Sequence, residues 1–288
     1  MDLWKDPAMR NRTNKLRVLT TTLSLLLTAT FGAIPSVWAA PPEIHCIHFF
    51  HGYPLGAPET NDLIIRDIYA LSSNDTTKFA DWVVYRLDKG TVFGETDTCR
   101  EWRADPFLDD DETLEPGDYS GASEANGIDR GHQAPLASFK GTSSWWTTNY
   151  LSNITPQKKD LNQGPWQTLE QRVRDLVVHY DYVWVMTGPL YKEPLFDLVR
   201  ANEPHTVPSH YWKIICVQEG KSPQTIKAAA FLFHQNTPRD ARILDHLTTI
   251  DDIEQQSGLD FLRELPDDLE NRIESDKFEP WAGEHFQN

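Results

Sequence analysis

Apolar residues in the first half of the chain gather in short runs separated by polar turns. Residues 64–69 and 79–87 are two such runs, with Ser72-Ser73-Asn74-Asp75 between them. The second holds Trp82, Val83, Val84 and Tyr85, side chains that fit a pleated surface, so the two runs predict a pair of strands. Residues 88–126 are polar and broken by Gly94, Pro106, Pro116 and Gly121, which predicts a long ordered excursion of the kind that often bears function; it carries Arg100 and Trp102. Residues 128–132 and 149–154 predict two further short strands around a loop containing Gly141. Then the period changes. Trp166, Leu169, Val173, Leu176, Val177 and Tyr180 recur at helical spacing behind Pro165, predicting an amphipathic helix over residues 164–179. Asn162 stands just ahead of it, and Glu170 and Arg174 sit one turn apart beside its apolar stripe. Residues 182–187, 211–217 and 228–233 read as buried strands, and Thr249 with Asp252 caps a short helix that stops near Gly258. Strands and helices without regular alternation argue for an α+β fold.

The start of the chain follows a different pattern. Arg10, Arg12, Lys15 and Arg17 precede the apolar run 18–34 and the segment Ser36-Val37-Trp38-Ala39-Ala40-Pro41. This order is that of a secretory signal peptide, residues 1–39, cut after Ala39. The run is shorter than the ~20 residues that cross a bilayer, so a membrane anchor is the weaker reading. The expectation is a secreted or periplasmic protein, without stable membrane association, whose residues 40–288 form one domain. With 39% hydrophobic residues, that length buries a sizeable core.

Composition adds a difficulty. The net charge is −16, and removing residues 1–39 leaves the remainder more negative still, which opposes any polyanionic ligand. The basic residues Arg100, Arg103, Arg130, Lys140, Lys158, Lys159, Arg172 and Arg174 nevertheless fall in one segment, while much of the acid lies in Asp109-Asp110-Asp111-Glu112 and from Asp251 onward. Three cysteines, Cys46, Cys99 and Cys216, predict one disulfide and one thiol in an oxidising compartment, with the pair unassigned. His45-Cys46-Ile47-His48 with His51 lacks a second ligand pair and reads as a mobile segment with scattered imidazoles.

The candidate chemistry lies in Asp129-Arg130-Gly131-His132-Gln133-Ala134-Pro135-Leu136, followed by Asn153, Asn162 and Glu170. Singly, each residue has an ordinary role: His132 a hydrogen-bonded histidine, Asn162 a helix cap, Asn153 a turn residue, Glu170 and Arg174 a surface pair. Together they supply what phosphodiester hydrolysis requires. An imidazole titrates near neutrality and accepts a proton from water without a large pKa adjustment. A single neutral amide oxygen, from Asn162, is enough to hold a hydrated Mg²⁺, with Glu170 accepting from its waters. Arg100 and Arg174 grip phosphate oxygens.

The segments 129–138, Asn149-Tyr150-Leu151-Ser152-Asn153-Ile154-Thr155-Pro156-Gln157 and Asp160-Leu161-Asn162-Gln163-Gly164 resemble the DNA/RNA non-specific endonucleases, and shorter likenesses extend over about residues 60–270. The resemblance implies the ββα-metal (His-Me finger) fold, in which two strands and a helix carry the site. It implies His132 as general base with Arg100 and Glu170 in catalysis, Arg130, Asn153 and Arg174 as substrate-binding or supporting residues, and Asn162 as the metal ligand. It further implies Mg²⁺, with Mn²⁺ as a substitute, and DNA and RNA as substrates cut to 5′-phosphates. A homodimer is left open. The ends depart from the family, so its disulfides are not transferred. The rival expectation, a binding protein on the same scaffold, leaves the joint presence of His132, Asn162, Glu170 and Arg100 unexplained.

Overall fold

The computed structural model describes residues 43–95 and 99–288; the predicted signal peptide and its cleavage position lie outside the described residues. Among the described residues the strands are β1 (Asp62–Ile65), β2 (Ala70–Ser73), β3 (Ala80–Leu87), β4 (Ile128–His132), β5 (Ile154–Lys158), β6 (Val183–Leu190), β7 (His210–Gln218), β8 (Ile226–His234) and β9 (Leu247–Thr248). The helices are α1 (Lys89–Val92), α2 (Ala122–Asn126), α3 (Lys159–Leu161), α4 (Gln167–Asp175), α5 (Ile250–Ser257), α6 (Asp267–Ser275) and α7 (Glu279–His285). Seven strands form one antiparallel sheet in the order β1-β2-β3-β6-β7-β8-β9, and β4 and β5 pair as a separate antiparallel ribbon.

The large sheet is apolar on both faces because alternate side chains of its central strands go to different cores. Along β7, Tyr211, Ile215 and Val217 join one cluster and Trp212, Ile214 and Cys216 the other. The first face is covered by Leu169 and Val173 of α4 and by Trp281 and Ala282 of α7. The second is covered by Ile250 and Ile253 of α5, Leu269 and Ile273 of α6, and Phe50 and Tyr53 of the N-terminal segment. Each of the Leu, Ile, Val and Phe side chains among these stabilises the fold by ~1.5–3 kcal/mol when fully buried. A third cluster, including Phe79, Tyr119, Ile128, Leu151 and Ile154, lies under the ribbon. The ribbon is tied down through Pro156, whose carbonyl accepts from Tyr211 Oη at 2.7 Å and Gln235 Nε2 at 2.8 Å.

Several expectations are corrected. The run 64–69 is not one strand: Arg66 N bonds Tyr69 O at 2.8 Å, closing a turn between β1 and β2. Ser72 and Ser73 are buried strand residues, Ser72 accepting from Asn61 Nδ2 at 2.9 Å, and the turn comes later, where Asn74 Oδ1 caps the amides of Thr76 and Thr77. Asn149 ends one tight helical turn and Leu151–Asn153 form another, with Tyr150 extended between them, and the strand begins only at Ile154. The N-terminal segment is packed: His48 is buried against Arg66 O, His51 bonds Gln218, and the Phe50 ring packs tilted against Trp184. The predicted disulfide is absent. Cys46, Cys99 and Cys216 are all free, Cys99 exposed and Cys216 enclosed by the apolar core, which pushes its thiol well above the usual range. Among the described residues, no helix is long and apolar enough to cross a membrane.

Candidate active site

The ribbon and the helix after it bring the candidate residues together. His132 ends β4 opposite Ile154, the first residue of β5, and the chain passes from β5 through α3 into a widened π-turn, Asn162–Trp166, before α4. The π-turn arises at Gly164, whose φ of −115° and ψ of −115° are not helical, and at Pro165, which donates no backbone hydrogen bond. Gly164 is also required sterically: a Cβ there would stand 2.5 Å from the Arg239 carbonyl oxygen. Asn162 is therefore a residue of the turn, where a place just ahead of the helix was expected. Its side chain and that of Glu170 on α4 enter one cleft.

That cleft has a volume of about 610 Å³ and is lined by Arg100, Arg130, His132, Asn162, Glu170 and Arg174, with Trp102, Asp129 and Lys140. Asn153 is not among them. It is fully buried, and its amide is consumed by Ala134 N at 2.8 Å, Ala134 O at 3.0 Å and Thr148 O at 2.9 Å. The predicted substrate contact is replaced by a different task, clamping the loop that follows His132. The predicted basic cluster also divides. Arg103 pairs with Glu101, Arg172 pairs with Asp175, and Lys158 and Lys159 line a neighbouring groove.

Two side chains that received no role in the sequence orient the central pair. Asn149 Nδ2 donates to Cys99 O at 3.3 Å, so Asn149 Oδ1 is the atom facing His132 Nε2 at 3.2 Å. An amide oxygen only accepts; Nε2 therefore carries the hydrogen, and Nδ1 keeps the lone pair. Asp129 does the same for Asn162. Its carboxylate accepts from Asn162 Nδ2 at 2.9 Å and from Gln163 Nε2 at 2.7 Å, which leaves Asn162 Oδ1 as the uncommitted atom.

Electrostatics sharpen these assignments. Burial lowers the His132 pKa from 6.5 to about 4, against the Asn149 hydrogen bond, and the Arg100 charge lowers it further. The expectation that this histidine titrates near neutrality is thus corrected: it is neutral down to acidic pH. Burial raises the Glu170 carboxyl, opposed by Lys213, Arg174 and Arg100. Lys213, on the α4-facing side of β7, is fully buried with its ammonium 4.4 Å from the centre of the Trp166 ring, and burial pushes it down to about 8. Arg174 donates from Nη2 to Gln171 at 2.8 Å, while its buried Nη1 has no partner among the described residues. Arg130 lies over the Trp102 and Tyr119 rings at 5.4 and 5.2 Å and donates to Pro116 O at 3.0 Å. Trp102 also covers His132, with ring centres 5.3 Å apart.

Known proteins are similar to this chain in sequence and fold. The family model for DNA/RNA non-specific endonucleases matches residues 51–268. The nuclease of Serratia marcescens is 47% identical over 227 residues, which span 78% of this chain and 83% of that protein. Human mitochondrial endonuclease G is 31% identical over 219 residues, 72% of this chain and 71% of its own. A chain in the crystal structure of the EndoG/EndoGI complex superposes with a TM-score of 0.64 at 24% identity, covering 75% of this chain and 90% of that one, a likeness of fold. The chain therefore belongs to the DNA/RNA non-specific endonuclease family, and is a nucleic-acid-hydrolysing endonuclease built on a ββα-metal fold.

Proposed function

We propose that the cleft hydrolyses phosphodiester bonds of DNA and RNA with little sequence preference, using His132 Nδ1 as the base and a single divalent cation, Mg²⁺, held at Asn162 Oδ1. The observation that carries this reading is a pair of fixed groups: Asn149 orients the His132 ring and the Asp129 carboxylate orients the Asn162 amide, leaving one lone pair and one amide oxygen open on the same cleft. The donor set suits a hard, hydrated ion, since a neutral amide and a nearby carboxylate, Glu170, leave most of the ion's charge uncancelled. When bound, that ion supplies Lewis-acid stabilisation of charge on the phosphate oxygens.

The protein's own groups do the rest. His132 Nδ1 takes the proton of the attacking water, and Asn149 holds the ring in the tautomer that allows it. Arg174, whose side chain lines the cleft, and the exposed Arg100 bind non-bridging phosphate oxygens. Burial raises the Glu170 carboxyl and the Lys213 charge opposes that rise, favouring the carboxylate, the form that accepts hydrogen bonds at the cation position. Attack at phosphorus forms the new P–O bond as the bond to the 3′ oxygen breaks; that oxygen takes a proton from solvent and leaves as a 3′-hydroxyl, and the other end keeps a 5′-phosphate. All these contacts address the sugar-phosphate backbone, which carries no sequence information.

Supercoiled plasmid and single-stranded RNA incubated with the purified protein test the proposal. Both are degraded in Mg²⁺ and spared by chelator, with 5′-phosphate ends; His132→Ala lowers the rate by ~10²–10⁴-fold while DNA binding persists. Intact substrates in Mg²⁺, or full activity in His132→Ala, refute it. The basic, apolar and small-residue order of residues 1–39 supports export, tested by N-terminal sequencing of the released protein.

A further inference from the structure

We propose a second cation site, on the sheet face opposite the cleft, in which Asp251 and Glu254 of α5 and Glu274 of α6 hold Ca²⁺. One ligand oxygen from each lies within 4.8 Å of the other two. Oxygens on opposite sides of a Ca²⁺ ion stand ~5 Å apart, so all three fit one coordination sphere. Glu274 is only 6% exposed, yet its Oε1 is buried without a hydrogen-bond partner among the described residues. A carboxylate oxygen in that position needs a proton or a cation. Glu254 gives one oxygen to Phe261 N at 2.7 Å and keeps the second for a ligand. Asp251 is exposed and opens the site to solvent.

No arginine, lysine or histidine among the described residues forms an ion pair with any of the three. Asp260 and Glu270 add negative charge around them. All donors are hard oxygens on two helices that meet at an angle set by packing. Ca²⁺ accepts six to eight oxygens in irregular geometry, whereas Mg²⁺ demands a near-ideal octahedron. The site bridges the two helices that close the second core, so its occupancy stabilises the fold and leaves cleavage alone.

The test uses the full chain carrying Asn162→Ala, which removes the amide assigned to the cleft cation, and compares it with Asn162→Ala/Glu274→Gln at pH 8. Calorimetric titration with Ca²⁺ is expected to give one ion per chain in the first protein, with a Tm about 5 °C higher at Ca²⁺ ~100-fold above Kd than in chelator. Both effects vanish in the second. Should Glu274→Gln not fold, Asp251→Asn at the exposed edge serves instead and weakens Ca²⁺ binding about tenfold; in the chain with Asn162 intact, the same substitution leaves DNA cleavage unchanged. Absence of Ca²⁺ uptake, or uptake and Tm gain that persist in the carboxylate variant, overturns the proposal.

Discussion

Around His132, burial and the Arg100 guanidinium act together to strip a proton from the ring, and the Asn149 oxygen acts to keep it. The balance sets the working pH range. The neutral ring is the form that accepts a proton, and its population rises as pH climbs through the folded-state value of about 4. The acid limb of kcat/KM assigned to this group is therefore expected near pH 4, well below the ordinary 6.5. Arg100→Ala removes a charge that lowers the pKa, so the limb moves to higher pH in that variant, beside the loss of rate expected from the phosphate contact proposed for Arg100. A limb that stays in place would mean that Arg100 does not act on the ring. The Asp129 carboxylate lends itself to a parallel experiment: Asp129→Ala frees the Asn162 and Gln163 amides to rotate, and metal affinity in a titration is expected to fall ~10–100-fold while the fold melts cooperatively. His132, Asn162 and Glu170 were legible in the sequence because their types and spacing form a recognisable set. Asn149, Asp129 and Lys213 were not. Asn149 and Asp129 work by touching another side chain, across 17 residues for Asn149 and His132 and 33 for Asp129 and Asn162, and Lys213 acts on Glu170 through its charge from another element; no local pattern encodes such a relation.

At the scale of elements, sequence periodicity succeeded where one physical demand dominates. Strands β6, β7 and β8 are buried on both faces, so their continuous apolar runs were visible, and the Thr249 cap and the Gly258 stop of α5 follow from side-chain chemistry within four residues. It failed where side chains bond to the backbone. Asn149 and Asn153 lie in tight turns because their amides serve the cleft and its loop, and the apolar residues between them look strand-like only when those bonds are ignored. The helix over 164–179 was correct in type, but its first turn is π because Gly164 must clear Arg239. Gly164→Ala isolates that turn. The added methyl meets a carbonyl oxygen at 2.5 Å, so either Arg239 or the turn shifts, at a cost of ~1–3 kcal/mol in stability. Because Asn162 opens the same turn, activity measured well below Tm is expected to drop by up to ~100-fold, more than the lost stability explains. Parallel, modest losses in both would show that the turn does not place the amide.

The molecule as a whole carries a net charge of −16 and must still bring a polyanion to one cleft. The fold answers by segregation. Arg100, Arg130, Lys140 and Arg174 line the cleft on the α4 side of the large sheet, while Asp251, Glu254, Asp267, Asp268 and Glu270 ride on α5 and α6 behind the other face. How far the distal acids are felt depends on screening. At ~10 mM salt the Debye length is roughly 30 Å, so DNA nearing the cleft senses the acidic body of the protein as well as the arginines. At ~0.1 M it is about 10 Å, and the local arginines prevail. Above that, released counterions no longer favour the phosphate contacts, and affinity falls with a log-log slope of about −0.9 per neutralised phosphate. The kcat/KM for DNA is therefore expected to pass through a maximum near ~0.1 M NaCl, and Arg174→Gln to reduce the slope beyond that maximum by about one. A decline that begins at the lowest salt would mean that the sheet and its two cores already insulate the cleft from the acids behind them, and that the arginines alone set the approach of the substrate.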